Sequence, residues 1–324
     1  MENEIKRWLS KEHQNLLYYK HKAEYIEACN ASIFDVDKIP QQVYPYRDEI
    51  YDENAFYGIE KTLRKYAGIN KPLNAIIEHG ISDCGSCENI ECSDLWKDRK
   101  EPVITFGEMR KDTVTKAYPK VKVIDVGPYV AYAQSALAEE ETENLKSKYG
   151  RILTLYPMHS IENFEADYEY DFLKKATNEI AKNLSIDTIF VCGYWKDYLS
   201  GKMEAYRTGD YVLVSAGHAM AHNFLNKTRA IMELSDVIVG NSMGTHVGYA
   251  NYLGKPYYWI DQDVNVKNNK CIEEYHELET FKEKYIFDGR NDLCSQLKIS
   301  EYLFGISRVK SRQELHDLLK KECI

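Results

Sequence analysis

The sequence predicts an α/β fold built from two Rossmann-like domains that face a cleft. The chain has 324 residues, more than the roughly 100–200 residues of one typical domain. In its second half, short apolar runs alternate with helical segments at the spacing of βαβ units. The sequence contains no repeat of fixed period and no low-complexity tract. Two α/β halves of similar size are therefore expected.

The first half carries a weaker form of this pattern, and we assign residues 1–140 to an N-terminal domain. Residues 1–30 predict a polar helix, and residues 54–66 predict a second one. Short apolar runs bounded by Gly, Pro or charged residues then predict parallel strands. These runs span residues 74–78, 102–106 and 121–126.

The second half is more regular, and we assign residues 150–305 to a C-terminal domain. An acidic helix at 138–149 precedes it, and a basic helix is expected within the last segment, 306–324. The predicted strands span 151–156, 187–192, 211–215, 236–239 and 256–260, and the predicted helices span 168–183, 222–234 and 244–253.

Charge and composition exclude several classes of protein. A formal net charge of −9 and a pI near 5.6 argue against nucleic-acid binding, which normally requires a basic face. The sequence shows no signal peptide and no apolar run of the roughly 20 residues that a membrane helix requires. The eight scattered cysteines are typical of reduced thiols. We therefore expect a cytoplasmic protein.

One loop carries most of the functional argument. It follows the predicted strand 236–239 and opens the predicted helix 244–253. The free N–H groups and the positive dipole end of such a helix bind phosphate. The alternative is that Ser242 or Thr245 only caps the helix. The candidate phosphate-binding residues are Asn241, Ser242, Gly244, Thr245 and His246.

The segment from Ser235 to His246, with the later Leu253-Gly254-Lys255-Pro256 turn, resembles the donor-binding region of GT-B glycosyltransferases. It also resembles proteins from bacterial surface-polysaccharide gene clusters. The resemblance implies a nucleotide-sugar donor and a glycan or lipid-linked glycan acceptor. GT-B enzymes that use UDP-sugars often carry a ribose-binding glutamate, and no glutamate lies between Gly240 and Tyr258. The donor is therefore left open between a CMP-sugar and a UDP-sugar.

The resemblance also concerns the C-terminal segment and cofactors. Terminal helices of GT-B proteins cross back onto the first domain, and residues 306–324 are expected to do the same. Alternatively, this basic helix rests peripherally on the anionic inner face of a membrane, or is simply solvated. No metal or other cofactor is expected, because the nucleotide-sugar itself is the substrate.

Other strand ends of the second half should meet the phosphate-binding loop at one rim of the sheet, where ligands bind in such folds. Trp195 is a further candidate beside the nucleobase. Each residue alone also fits a capping or partly buried loop position. The donor-binding candidates on this rim are His159, Ser160, Tyr194, Gly217 and His218.

A glycosyltransferase of this type needs a base on the first domain to deprotonate the acceptor. His79 directly follows the predicted strand 74–78, and histidine titrates near neutral pH. Glu78 either orients it or acts as the base itself. The alternative is a structural histidine at a strand end. Glu108 and Arg110 are weaker acceptor-side candidates.

Two further motifs suggest a metal but lack a complete ligand set. Cys84, Cys87 and Cys92 supply only three thiols, and a loop insertion is the simpler interpretation. The segment Asp261-Gln262-Asp263 has the form of a metal motif that belongs to another fold.

Two other functions fit the same predicted fold. A sugar-nucleotide epimerase would act without an acceptor and would need several acidic residues in the cleft. A non-catalytic protein would bind a nucleotide or glycan without releasing product.

Overall fold

Two helices form the N-terminus in place of the single predicted one. The structure is a computed structural model, and it describes residues 2–80, 100–160, 165–209, 211–267, 283–287 and 293–324. Helix α1 (Glu2–Lys20) ends before His21, whose backbone is not helical, and α2 (Lys22–Asn30) follows. The backbone N–H of Ser215 donates to the Ile33 carbonyl at 2.9 Å, so this N-terminal segment contacts the second half of the chain.

The predicted helix 54–66 is wrong in its first half. A 3-10 segment (Asp52–Gly58) comes first, and helix α3 (Ile59–Ala67) starts after it. The break occurs because Tyr57 and Gly58 both have positive φ values, 57° and 64°. A Cβ atom at Gly58 would lie 2.2 Å from the carbonyl oxygen of His222, so only glycine fits there.

The first sheet has three parallel strands at the places where the sequence predicts them. Strand β1 (Ile76–Ile77) pairs with β2 (Val103–Thr105), which pairs with β3 (Val123–Asp125). Helix α4 (Glu108–Ala117) connects β2 to β3. Most residues of these strands are buried, which is expected of a parallel sheet.

The second sheet has five parallel strands: β4 (Ile152–Tyr156), β6 (Thr188–Cys192), β7 (Tyr211–Val214), β8 (Val237–Gly240) and β9 (Tyr257–Trp259). Their order across the sheet is β7-β6-β4-β8-β9. Counted along the chain, this is the 3-2-1-4-5 order of a doubly wound fold. A small antiparallel pair, β5 (Glu165–Asp167) with β10 (Asn265–Lys267), lies outside the sheet. The predicted α/β class with parallel sheets is confirmed.

Helices of the second half agree with the prediction to within two residues where one was made. Helix α7 was not predicted because five residues carry no clear periodicity, and α10 was not predicted either. The helices are α5 (Glu139–Tyr149), α6 (Tyr170–Asn183), α7 (Trp195–Leu199), α8 (Phe224–Leu234), α9 (Thr245–Tyr252) and α10 (Leu293–Phe304).

The two halves share a continuous apolar core. Buried side chains of α3 and β2 contact buried side chains of α9 and α10 within a single cluster. Gly248 allows α9 and α10 to pack closely, because a Cβ atom there would lie 2.3 Å from the Phe304 ring. The sheets are thus held in a fixed relationship by close side-chain packing.

The chain ends in helix α11 (Arg312–Glu322), which packs on the first half. A capping box between Ser311 and Glu314 starts it. His316 Nδ1 lies 2.8 Å from the Ala67 carbonyl oxygen, and the Cys323 carbonyl accepts a hydrogen bond from the Asn74 N–H. None of the helices in the described part of the chain is long and apolar enough to cross a membrane.

Candidate functional site

The strand order places a topological switch point between β4 and β8. These neighbours pair in register from Leu153–Val237 to Tyr156–Gly240. The connection after β4 leads to β6 on one side of the pair, and the connection after β8 leads to β9 on the other side. Ligands of doubly wound folds bind in the crevice at such a point. A Cβ atom at Gly240 would lie 2.6 Å from the Tyr156 carbonyl oxygen, so glycine allows the strand ends to approach closely. The predicted phosphate-binding loop follows β8 at this crevice.

The first turn of α9 keeps backbone donors that no side chain caps within the described structure. Gly244 occupies the N-cap position in an extended conformation, and the first internal hydrogen bond runs from the Val247 N–H to the Gly244 carbonyl. Neither Ser242 nor Thr245 caps this helix. The capping alternative is therefore wrong, and the positive end of α9 can receive an anion.

His246 is packed inside this turn. Its ring stacks on Tyr156 with 5.3 Å between centroids and contacts the Tyr257 ring edge-on at 5.4 Å. Burial and then the nearby His159 lower the pKa of His246 to about 3. His246 is therefore a neutral imidazole at neutral pH. Its Nε2 atom is buried and has no hydrogen-bond partner among the described residues.

Asn241 is held by hydrogen bonds to two neighbouring loops, and its contact with a ligand stays a prediction. Its Oδ1 atom accepts a hydrogen bond from the Met158 N–H at 2.7 Å, and its Nδ2 atom donates to Gln262 Oε1 at 3.0 Å. The side chain is buried. Because both ends of the amide are engaged, Asn241 ties together the loops that follow β4, β8 and β9.

The loop after β4 contributes one residue to the rim and buries the next. His159 stacks on Tyr194 with 4.3 Å between ring centroids, and loss of hydration lowers the pKa of His159. The buried Ser160 hydroxyl accepts hydrogen bonds from Lys202 Nζ and the Ala166 N–H. The Ser160 oxygen thus already accepts from two partners, and its contact with the donor stays a prediction.

The loop after β7 forms an aromatic wall with α7. His218 is buried and lies against Trp195 with 4.0 Å between ring centroids. Its Nδ1 atom accepts a hydrogen bond from the Met220 N–H, and burial followed by the charge of Lys196 lowers its pKa to about 4. Gly217 adopts φ 83°, which permits the turn that brings His218 to this position. The wall presents the rings of Trp195 and His218, with the Lys196 ammonium 5.5 Å from the centre of the Trp195 ring.

His79 lies close to the donor-side residues, although it belongs to the first half. Its ring stacks on Phe56 at 5.0 Å and lies 6.0 Å from the Tyr57 ring. The Tyr57 hydroxyl in turn lies 3.5 Å from the Tyr194 hydroxyl. Loss of hydration lowers the pKa of His79, which is neutral at neutral pH as a base must be.

Glu78 is engaged in a buried ion pair with Arg110. Arg110 donates from two nitrogens to the two carboxylate oxygens, and the Thr105 hydroxyl donates to Oε2 at 2.5 Å. The side chains of Glu78 and Arg110 are only 9% and 2% exposed. This pairing argues against Glu78 as the base.

The other acceptor-side candidate, Glu108, is also paired. It forms an ion pair with Arg308, which holds Asp125 as well, at 3.0 Å. These contacts join the segment after α10 to the first sheet. Glu108 therefore has a structural partner.

Phe56 and Tyr57 were not among the predicted site residues. The Tyr57-Gly58 pair does carry a local signal, because glycine before a helix often marks a turn. Cys84, Cys87 and Cys92 lie outside the described residues. Within the described ranges, no group of three or more His, Cys, Asp or Glu side chains could hold a metal ion.

Comparisons with known proteins return structural similarity alone. No protein-family model and no curated protein matches the sequence. The chain is similar to the UDP-GlcNAc 2-epimerase of Neisseria meningitidis bound to UDP-GlcNAc, with 10% identity and a TM-score of 0.33. That match covers 68% of this chain and 60% of the epimerase, so it spans less than two thirds of that enzyme.

Two further solved structures are similar at the same level. MnaA of S. aureus in complex with UDP has a TM-score of 0.38 and 10% identity, over 80% of this chain and 76% of that protein. WaaG, a glycosyltransferase involved in lipopolysaccharide biosynthesis, has a TM-score of 0.37 and 10% identity, over 77% and 74%. With such low identities and TM-scores, no activity is transferred from these proteins to the chain.

Proposed function

We propose that this chain is a glycosyltransferase that moves a sugar from a CMP- or UDP-sugar to a hydroxyl of a surface-glycan acceptor. The observation that carries the proposal is the uncapped N-terminus of α9 at the switch point between β4 and β8. The neutral His246 lies in its first turn, with an unpartnered Nε2 atom. An unpaired buried polar atom costs free energy, so a ligand hydroxyl that donates a hydrogen bond to Nε2 gains binding energy.

The donor phosphate binds at the first turn of α9 in this proposal. Ser242 does not cap the helix, so its hydroxyl can contact phosphate beside the backbone N–H groups, whereas the Thr245 side chain is hydrogen-bonded to Tyr249. The developing charge on the leaving phosphate is stabilised by these fixed donors and by the helix dipole. The nucleobase stacks against the wall of Trp195 and His218, which presents ring surface.

The acceptor hydroxyl is deprotonated by His79. The imidazole takes the proton as the acceptor oxygen forms its bond to the anomeric carbon, and the bond from that carbon to the phosphate oxygen breaks. His79 suits this step because its lowered pKa keeps the ring unprotonated at neutral pH. The His79 ring also lies beside the Tyr57 ring, and the Tyr57 hydroxyl faces the hydroxyl of Tyr194 on the donor side.

Binding of nucleotides is the first test. CMP, UDP, GDP and CDP are compared by thermal shift, and each is paired with its nucleoside as a control for base stacking alone. At least one nucleotide should raise the melting temperature, and its nucleoside should raise it much less, because the phosphate site supplies the difference. If none of the four stabilises the chain, the proposal is wrong.

Turnover separates the three candidate activities. The nucleotide-sugars of the stabilising nucleotide are incubated with and without glycan acceptors, and both nucleotide and sugar are analysed. Acceptor-dependent release of nucleotide supports transfer. An altered sugar without any acceptor would instead identify an epimerase. Tight binding with neither change would identify a binding protein.

A further inference from the structure

Two tyrosine hydroxyls meet at the boundary between the halves of the chain. Tyr57 lies near the end of the 3-10 segment of the first half, and Tyr194 follows β6 in the second. Their hydroxyl oxygens lie 3.5 Å apart, at the outer limit of a hydrogen bond.

The backbone holds Tyr57 in this place despite an unfavourable conformation. Its φ of 57° lies in the left-handed region, which bulky residues rarely adopt. The Tyr57 N–H donates to the Ala219 carbonyl at 2.7 Å, and the ring packs on Phe224 with 4.7 Å between centroids. Strained residues of this kind concentrate at ligand sites, where the surrounding structure fixes them.

The neighbours of the pair are two residues of the candidate site, His159 and His79. His159 stacks on the ring of Tyr194, and His79 lies beyond Tyr57 on the side of the first half. Loss of hydration raises the pKa of Tyr57 well above its usual value, and Tyr194 raises it further. The Tyr57 hydroxyl therefore stays protonated and can donate a hydrogen bond.

Building on the proposed function, we infer that the Tyr57 and Tyr194 hydroxyls together bind one hydroxyl of the donor sugar. One tyrosine donates to that sugar oxygen, and the other accepts from it or donates as well. The pair lies between the donor side at His159 and the base His79, where the anomeric carbon must be. It would select sugars that carry a hydroxyl at this position over their deoxy analogues.

Removal of each hydroxyl tests the inference without disturbing the ring packing. Tyr57→Phe and Tyr194→Phe are compared with wild type for binding of the free nucleotide and of its nucleotide-sugar. The ligands are UDP with UDP-N-acetylglucosamine, or CMP with CMP-N-acetylneuraminate, whichever nucleotide stabilises the wild type. Tyr46→Phe, an exposed tyrosine of the first half, is the matched control.

Each variant should bind the free nucleotide as the wild type does and should bind the nucleotide-sugar about fivefold more weakly, which is the size of one neutral hydrogen bond. Because both hydroxyls contact one sugar oxygen, the double variant should lose less than the product of the two single losses. Unchanged nucleotide-sugar affinity in Tyr57→Phe, with normal nucleotide binding, would overturn the inference alone. A wild type that binds no nucleotide would overturn the proposed function and the inference with it.

Discussion

Tyr156 and His246 lie face to face, with an angle of 8° between their rings, and this stack joins the end of β4 to the first turn of α9. Tyr156 lies at the end of β4, and His246 lies in the helix that follows β8, so the stack spans the switch point between these two strands. The close packing that removes His246 from water also sets its protonation state. The stability of the fold should therefore depend on pH through this side chain.

We predict that stability falls as the pH is lowered from about 6.5, the usual pKa of histidine. The folded pKa of His246 is lowered to about 3, so the unfolded chain takes up a proton before the folded one does. The contribution of neutral His246 is thus complete above pH 6.5 and is lost progressively towards pH 3. Denaturant unfolding at pH 7 and pH 5 measures the loss, which should be smaller in His246→Gln. The exposed His13→Gln is the control and should keep the wild-type pH dependence.

Gly244 gives a second prediction, at the phosphate site itself. A Cβ atom there would lie 2.8 Å from His246 Nδ1, and that ring is held between Tyr156 and Tyr257. Gly244→Ala should therefore displace the first turn of α9, destabilise the fold by about 1–3 kcal/mol and weaken nucleotide binding. Isothermal titration with the stabilising nucleotide measures the affinity. Gly80→Ala is the control, because no atom of the described residues lies within 4 Å of its Cβ position. Equal affinities in the two variants would contradict the placement of the phosphate.

Much of the fold and the location of the site could be predicted from the sequence. The parallel strands are buried apolar runs with clear boundaries, and the loop from Asn241 to His246 follows one of them directly. These are local signals. Once the strand order is known, the switch point follows from the topology.

The roles of individual site residues depended on partners distant in the sequence. Asn241 is engaged by Met158, which lies 83 residues earlier, and Glu78 is engaged by Arg110, 32 residues later. Tyr57 meets Tyr194 across 137 residues. No local pattern shows which polar side chain is already paired, so the sequence could not separate bracing residues from ligand-binding ones.

The ion pair of Glu78 and Arg110 leads to a prediction about stability. Removal of one partner leaves the other charged and buried, which typically costs about 3–5 kcal/mol. We expect Glu78→Ala to lower the free energy of unfolding by about this amount in urea titrations. The exposed Glu140→Ala should change it little. A normally stable Glu78→Ala protein without turnover would instead restore Glu78 as the candidate base.

His79 should be required for turnover but not for nucleotide binding. His79→Gln removes the base while keeping a polar side chain beside Phe56, so the rate of transfer should fall at least about 100-fold with unchanged nucleotide affinity. In the wild type, kcat/KM should decline only as the pH drops through the lowered pKa of His79, since protonation then removes the base. His13→Gln should retain full activity across the same range. A His79→Gln protein with wild-type turnover and pH profile would show that the acceptor proton leaves by another route.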